Sequence, residues 1–108
     1  RVVDIVRTQP KQQQVTLLSI INLSKNRSDS IYTGEVYDVY KQCCDKIGLR
    51  PLTQRRVSDV IAELDMLGII NARVISKGRF GRTREITIAV PQGIRPKIAN
   101  ILEQALNL

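Results

Sequence analysis

Four positively charged residues lie within one eight-residue segment of the chain, and no acidic residue interrupts them. The segment runs from Lys77 to Arg84 and reads Lys-Gly-Arg-Phe-Gly-Arg-Thr-Arg. Lysine and arginine side chains carry the charge and the donors that bind phosphate oxygens, and glycines let the backbone turn tightly and approach another surface closely. The segment therefore predicts a basic hairpin loop that binds a polyanion. Its candidate binding residues are Lys77, Gly78, Arg79, Phe80, Gly81, Arg82 and Arg84.

Other interpretations of this loop stay open. It could be a solubilising hairpin tip, although a loop that only joins two strands has no need of four charges that repel one another. Phe80 is the only phenylalanine and lies at the expected tip of the hairpin. An exposed phenylalanine there could contact sugars or a base step in a minor groove, or its ring could fold back over an arginine stem.

A second group of candidate residues begins a helix predicted over residues 54–67. Thr53 is a typical N-cap, and an apolar stripe at helical spacing must face the core. That stripe consists of Val57, Val60, Ile61, Leu64 and Leu67. It leaves Arg55 pointing outward with Arg56 and Ser58 on the flanks. The free N–H groups at a helix start favour a phosphate, and each arginine could take a phosphate or a guanine edge. The candidate residues are Thr53, Gln54, Arg55, Arg56 and Ser58.

This helix face also has a plainer interpretation, a solvated surface held by an ion pair within the helix. Asp59 is placed to pair with Arg55 four residues earlier or with Arg56 three residues earlier. A carboxylate repels phosphates unless it pairs with an arginine or accepts a hydrogen bond from a cytosine amino group. We expect Asp59 to orient one of the two arginines.

The composition favours binding over catalysis. The chain has 17 basic and 10 acidic residues, and eight basic and three acidic ones lie in residues 50–84. Histidine is absent and the only cysteines, Cys43 and Cys44, are adjacent, which excludes histidine-based triads and ordinary zinc sites. No phosphate-binding glycine loop of the nucleotide-hydrolase type is present. We expect no enzyme activity, no cofactor and no metal in this domain, and we expect both cysteines in the core.

The length of 108 residues fits one domain. No apolar run is long enough to span a bilayer, and no secretory or transit signal opens the chain, so a cytoplasmic, nucleoid-associated location is expected. Because the sequence starts at Arg1 and not at methionine, we interpret it as a piece of a longer protein. Residues 1–8 are then the linker from a missing preceding domain, and residues 9–108 form the domain itself.

The spacing of apolar residues predicts the order of the helices and strands that must position the basic loop and the start of the 54–67 helix. Gln9–Pro10 opens a helix that reaches Lys25, and a short strand follows at Ile31–Thr33. Thr33 caps a second helix from Gly34 to about Ile47, and Gly48 ends it. Two further strands, Ile69–Ser76 and Glu85–Val90, flank the basic loop, and an amphipathic helix closes the chain. The fold class predicted is α+β: a winged helix-turn-helix with three core helices, a small antiparallel sheet, a β-hairpin wing and an additional C-terminal helix.

Three segments of the chain resemble a known family: Leu52–Asn71, Ser76–Ile86 and Tyr32–Tyr37, the last reading Tyr-Thr-Gly-Glu-Val-Tyr. They are similar to the C-terminal winged-helix domain of archaeal DNA replication initiators of the origin-recognition and cell-division-control class. The resemblance covers about residues 8–90. It implies binding of double-stranded origin DNA, with the recognition helix toward the major groove and the wing toward the minor groove. It also implies an ATP-binding motor module in the parent protein, whose motifs are absent here.

Two alternative functions remain at this point. The winged helix could dock a protein, such as a replicative helicase or the parent's own motor module. It could also belong to a transcription regulator that dimerises through its last helix. The apolar stripe of that helix contains Ile98, Ile101, Leu102, Ala105 and Leu106. We expect this stripe to pack on the domain's own core, which leaves the isolated domain a monomer.

Overall fold

The computed structural model describes residues 1–25, 27–76 and 81–108. Within these residues, five α-helices and three strands follow one another. They are α1 (Val2–Thr8), α2 (Lys11–Ser24), β1 (Ile31–Tyr32), α3 (Thr33–Ile47), α4 (Gln54–Met66), β2 (Ile70–Ser76), β3 (Arg82–Ile88) and α5 (Arg95–Leu106), with a short 3-10 turn at Gln92–Ile94 before α5. This order confirms the predicted winged helix-turn-helix with an additional C-terminal helix.

Helix α2 is the centre of the domain because it is apolar on most of its sides. Every residue from Gln14 to Ile21 is buried, and α2 contacts α3, α4 and α5. Its two buried hydroxyls are bonded within the helix: Ser19 Oγ donates to the Val15 carbonyl at 2.8 Å, and Thr16 Oγ1 donates to the Gln12 carbonyl at 2.8 Å. Both cysteines of α3 are buried in the same core as unpaired thiols, as predicted.

The three strands form an antiparallel sheet in the order β1-β3-β2. Because side chains alternate along a strand, one face carries Ile31, Ile70 and Ile86, all buried in the core. In the register of the sheet, Ile86 lies between Ile31 of β1 and Ala72 of β2. Asp65 Oδ1 of α4 accepts the Ala72 N–H at 3.0 Å, so α4 is bonded to the edge strand β2.

Two tyrosines of α3 hold the turn that leads into α4. Tyr40 is buried; its hydroxyl donates to Gln12 Oε1 at 2.5 Å and accepts the Leu52 N–H at 2.7 Å. Tyr37 donates its hydroxyl to the Leu52 carbonyl at 3.0 Å. Burial raises the pKa of Tyr40 to about 12. The direction in which α4 leaves the turn is therefore set by hydrogen bonds from α2 and α3.

Both helices of the helix-turn-helix end at a glycine in the left-handed region, as the sequence predicts. Gly48 has φ +71° after α3, and Gly68 has φ +79° after α4. After α4, the Gly68 N–H donates to the Asp65 carbonyl at 2.9 Å and the Ile69 N–H to the Leu64 carbonyl at 3.3 Å. These are the two bonds of a Schellman motif, which turns the chain directly from α4 into β2.

The structure differs from the sequence analysis at the N-terminus. Residues 1–8 were expected to be a linker, but Val2–Thr8 is helical and Val6 is fully buried. Helix α1 contacts α5, and the buried Gln14 donates from Nε2 to the Val6 carbonyl at 3.1 Å. A seven-residue helix has little stability by itself, so the prediction missed α1 because its partner, α5, lies at the other end of the sequence.

The last helix packs inside the domain, as predicted. Its apolar stripe faces α1 and α2, and four of the five predicted residues are buried: Ile98, Ile101, Leu102 and Leu106. Ala105 is exposed, and Ala99 is buried in its place. The stripe is therefore covered by the domain itself and is not an exposed dimerisation surface.

Several predicted boundaries were wrong by one to three residues. Thr33 was expected to cap α3, but α3 begins at Thr33, and its hydroxyl accepts the Arg84 N–H of β3 at 3.0 Å. Leu67 was placed in the core stripe of α4, yet the helix ends at Met66 and Leu67 is 41% exposed. Strand β3 begins at Arg82, three residues before the predicted start. Arg82 and Arg84 therefore belong to a strand and not to the loop.

No helix within residues 1–25, 27–76 and 81–108 is both long enough and apolar enough to cross a membrane.

Candidate nucleic-acid interface

The N-terminus of α4 presents the first group of predicted residues. Thr53 is the N-cap, and its Oγ1 accepts the Arg56 N–H at 3.2 Å, as predicted. Gln54, Arg55 and Arg56 are all exposed, whereas Ser58 is half-buried. The helix buries Val57, Val60, Ile61 and Leu64 on its other side. The basic first turn of α4 is therefore free to contact a ligand while the opposite face is fixed in the core.

The start of β3 carries the described part of the second group. Gly81 has φ +84°, in the left-handed region. Arg82 is exposed and Arg84 is half-buried. Lys77, Gly78, Arg79 and Phe80 lie outside the described residues, so the predictions made for them, including the position of Phe80 at the tip, stay predictions.

The two groups meet at one cleft. Its volume is about 370 Å³, and its lining consists of Thr33, Gln54, Arg55, Ser58, Arg82 and Thr83. The cleft joins the beginnings of α3, α4 and β3, and it contains arginines from both α4 and β3. No lining residue is acidic. The recognition helix and the base of the wing therefore lie on the same side of the molecule.

A hydrogen bond joins the two groups across this cleft. Arg84 Nε donates to Ser58 Oγ at 3.0 Å, and the backbone N–H of Arg84 donates to Thr33 Oγ1. Ser58 and Arg84 were both predicted as binding residues, but nothing in the sequence indicates that they contact each other. Thr33 was interpreted as a helix cap only, so its place at the interface was missed.

The charges at the cleft are uncompensated within the part of the chain that the structure describes. No ion pair there involves Arg55, Arg56, Arg82 or Arg84; the pairs found are Arg1–Asp4, Arg27–Asp29, Arg27–Glu35 and Arg73–Glu85. Asp59 was expected to orient Arg55 or Arg56, and it forms no ion pair with either. An arginine without a carboxylate partner has its N–H donors available for an anionic ligand. The expectation for Asp59 is therefore corrected, and the binding roles of the arginines stay predictions.

The outer face of the sheet carries an ion pair that sequence reasoning did not find. Arg73 of β2 lies opposite Glu85 of β3, and its guanidinium bonds Glu85 Oε1 at 2.7 Å. This hydrogen bond to Arg73 lowers the pKa of Glu85. The pairing depends on the register of the hairpin, and register cannot be read from the sequence of a loop whose length is uncertain. Glu85 thereby neutralises Arg73 and none of the arginines at the cleft.

No group of three or more metal-ligating side chains occurs among the residues with a described position.

Comparison with known proteins identifies the family. The model of the family described as CDC6, C terminal winged helix domain, matches residues 4–95, which is most of the chain. The chain belongs to this family. The winged-helix domain is similar to an ORC1-type DNA replication protein of Haloarcula marismortui, with 57% identity over 91 residues, 84% of this chain and 17% of the relative. A protein of the same name from Thermococcus onnurineus is 56% identical over 87 residues, 81% of this chain and 21% of the relative.

Solved structures agree with this assignment. The winged-helix domain superposes on the Aeropyrum pernix ORC1 protein in complex with DNA with a TM-score of 0.82 and 42% identity, covering 95% of this chain and 26% of that one. The Cdc6p structure from Pyrobaculum aerophilum, 18% identical, shares the fold with a TM-score of 0.79. The chain spans about a fifth of the length of the relatives it matches.

Proposed function

We propose that this domain binds double-stranded DNA at a replication origin, as the DNA-binding part of a replication initiator. The recognition helix α4 lies at the major groove and the wing enters the minor groove. The observation that carries the proposal is the acid-free cleft, because it brings Arg55 of α4 and Arg82 of β3 together on one face. A cleft lined by charges of one sign concentrates the field and attracts ligands of the opposite charge.

The local geometry suits this arrangement. The first turn of α4 is exposed at Gln54, Arg55 and Arg56, and a major groove about 12 Å wide admits a helix. Phosphates favour the free N–H groups of a helix start, so Thr53 and Gln54 take a backbone phosphate beside the arginines. Two further cations of the predicted wing, Lys77 and Arg79, precede Arg82 in the sequence.

The comparisons support the same proposal. The relatives carry the name of DNA replication proteins, and the Aeropyrum pernix structure contains DNA. We extend the DNA ligand to this chain because its identity to that structure is 42%. The proposal also includes an ATP-binding motor module in the parent protein, and contact of this domain with that module or with a replicative helicase. It further includes a monomeric isolated domain and a cytoplasmic, nucleoid-associated location.

The test is a titration of a labelled origin-like duplex, followed by fluorescence anisotropy at several salt concentrations. If about five phosphates are neutralised, the logarithm of the binding constant falls against the logarithm of salt with a slope near −4.5. Replacing Arg55 with alanine should flatten this slope by about 0.9 and relax any sequence preference, because the residue can contact a base edge.

The matched control is Lys46→Ala, which removes the same charge from the other end of α3. Lys46 is exposed, is not among the residues that line the cleft, and lies 13 residues after Thr33, which is about 20 Å along the axis of α3 at 1.5 Å per residue. This variant should keep the wild-type slope. A wild-type slope near zero would refute the proposal, and tight binding to a protein partner in its place would favour the docking alternative.

A further inference from the structure

Arg84 differs from the other arginines of the interface because both its backbone and its side chain are bonded within the protein. Its N–H donates to Thr33 Oγ1 at 3.0 Å, and its Nε–H donates to Ser58 Oγ at 3.0 Å. Thr33 is the buried first residue of α3, and Ser58 lies one turn into α4. One residue of β3 therefore joins the wing to both helices of the helix-turn-helix.

Arg82 provides the contrast. It lies two residues from Arg84, so the two side chains leave the same face of β3. Arg82 is exposed, whereas Arg84 is half-buried. Between the described residues, no hydrogen bond or ion pair is found for the Arg82 side chain. The two arginines thus have the same charge and the same strand face, but only the Arg84 side chain is bonded to another described residue.

We infer that Arg84 is a positioning residue: through Ser58 it fixes the angle between the wing and the recognition helix, and its contribution to DNA affinity comes from that bond. The inference rests on the proposed function, because it concerns how the same interface is held ready. The Arg84–Ser58 bond lies between Arg82 and the buried part of β3, about 7 Å after Arg82 at the rise of an antiparallel strand. A bond at that point limits movement of the start of β3 relative to α4.

The physical reason is the cost of ordering. An interface that contacts two grooves at once needs both parts at a fixed separation, and any freedom of the wing must be lost on binding. A planar guanidinium that donates from Nε has a fixed direction, so it restrains the wing more strongly than a flexible amine. The bond lowers the ordering cost before DNA arrives.

The test is a double-mutant cycle on affinity for the origin-like duplex. Ser58→Ala and Arg84→Ala should each weaken binding about fivefold to tenfold, which is the cost of immobilising a side chain and a hairpin. The double variant should bind no more weakly than either single one, because all three lose the same hydrogen bond. Ser58→Thr keeps the hydroxyl acceptor and should restore wild-type affinity. Thermal unfolding checks that each variant is folded.

A second measurement needs no DNA. In the free protein, Ser58→Ala should speed hydrogen exchange at the Arg84 amide, which donates to Thr33 Oγ1, because the start of β3 opens more often. The exchange is measured by NMR. Lys46→Ala is the control in this experiment too, and it should leave that amide unchanged.

Arg82→Ala is the comparison for a direct phosphate contact. It should flatten the salt slope by about 0.9, and its effect should add to that of Ser58→Ala. The inference is overturned if Arg84→Ala flattens the slope in the same way while Ser58→Ala leaves both affinity and exchange unchanged. It is also overturned if the Ser58 and Arg84 effects add. A wild-type domain without salt-dependent binding would instead refute the proposed function, and the positioning role would fall with it.

Discussion

Replacing Tyr40 with phenylalanine removes one hydroxyl that serves two segments of the domain. That hydroxyl donates to Gln12 Oε1 of α2 and accepts the Leu52 N–H just before α4. The ring stays, so the apolar packing of this fully buried residue is unchanged. What is lost is the link that holds the turn of the helix-turn-helix against the central helix.

The expected loss of stability follows from the two groups that lose their hydrogen bond to the hydroxyl, Gln12 Oε1 and the Leu52 N–H. Each polar group left without a partner costs about 1–3 kcal/mol. Gln12 and Leu52 are only half-buried, so water can form part of the lost hydrogen bonding. The free energy of unfolding should therefore fall by about 2–4 kcal/mol in total. For a domain of this size, that corresponds to a fall in Tm of about 10–20 °C. The assay is thermal unfolding followed by far-ultraviolet circular dichroism.

The matched control is Tyr37→Phe, which removes a single hydrogen bond from the neighbouring tyrosine to the Leu52 carbonyl. Its cost should be about 1 kcal/mol. Equal losses for the two variants, or no loss for Tyr40→Phe, would refute the assignment of Tyr40 as the anchor of the turn.

The same tyrosine sets an alkaline limit. Its folded pKa is raised from 10.0 to about 12, so the folded state favours the neutral phenol. This contribution is fully present below pH 10 and is lost as the pH rises toward 12. Wild-type stability should fall in that window by more than the stability of Tyr40→Phe, measured by denaturant unfolding at each pH.

Three other changes test the fold and the sheet. Gly68→Ala should lower the free energy of unfolding by about 1–2 kcal/mol. Gly68 has φ +79° and the added methyl meets nothing within 4 Å, so only backbone strain acts. Gly93→Ala, equally open and without positive φ, should lower it much less in the same denaturant titration. The pairing with Arg73 lowers the pKa of Glu85 below 4.5, so it contributes stability that is present above pH 4.5 and lost as the pH falls further. Glu85→Gln should remove this contribution. An unchanged fall of stability with pH on the acid side would contradict this. Val6→Ala should destabilise the domain by about 2 kcal/mol, since α1 is part of the core, and a stability equal to wild type would return residues 1–8 to the status of a linker.

Local signals were sufficient for much of the fold. The Thr53 cap and Gly68 define α4 within a few neighbouring residues, and Gly48 does the same for the end of α3. These features depend on capping and on left-handed backbone, which residue type alone indicates. The helix-turn-helix could therefore be predicted in its correct order.

The features that were missed depend on contacts between distant parts of the chain. Helix α1 is stable only because α5 covers it. Thr33 has the residue type of a cap, but its hydroxyl is taken by a strand 51 residues away. The bond from Arg84 to Ser58 spans 26 residues and follows from the way the sheet packs on α4. The composition indicated which basic residues are candidates for binding. Only the fold shows that Arg55 and Arg82 are exposed, whereas Arg84 is bonded to Ser58.

The bond between Asp65 and Ala72 has a consequence for the behaviour of the protein in concentrated solution. Strand β2 is one of the two edge strands of the sheet, and Val74 is 50% exposed on it. Such an edge invites another chain to add a strand and start aggregation. Asp65 occupies the donor that a fourth strand would need at Ala72. A single carboxylate thus opposes the addition of a strand at this edge.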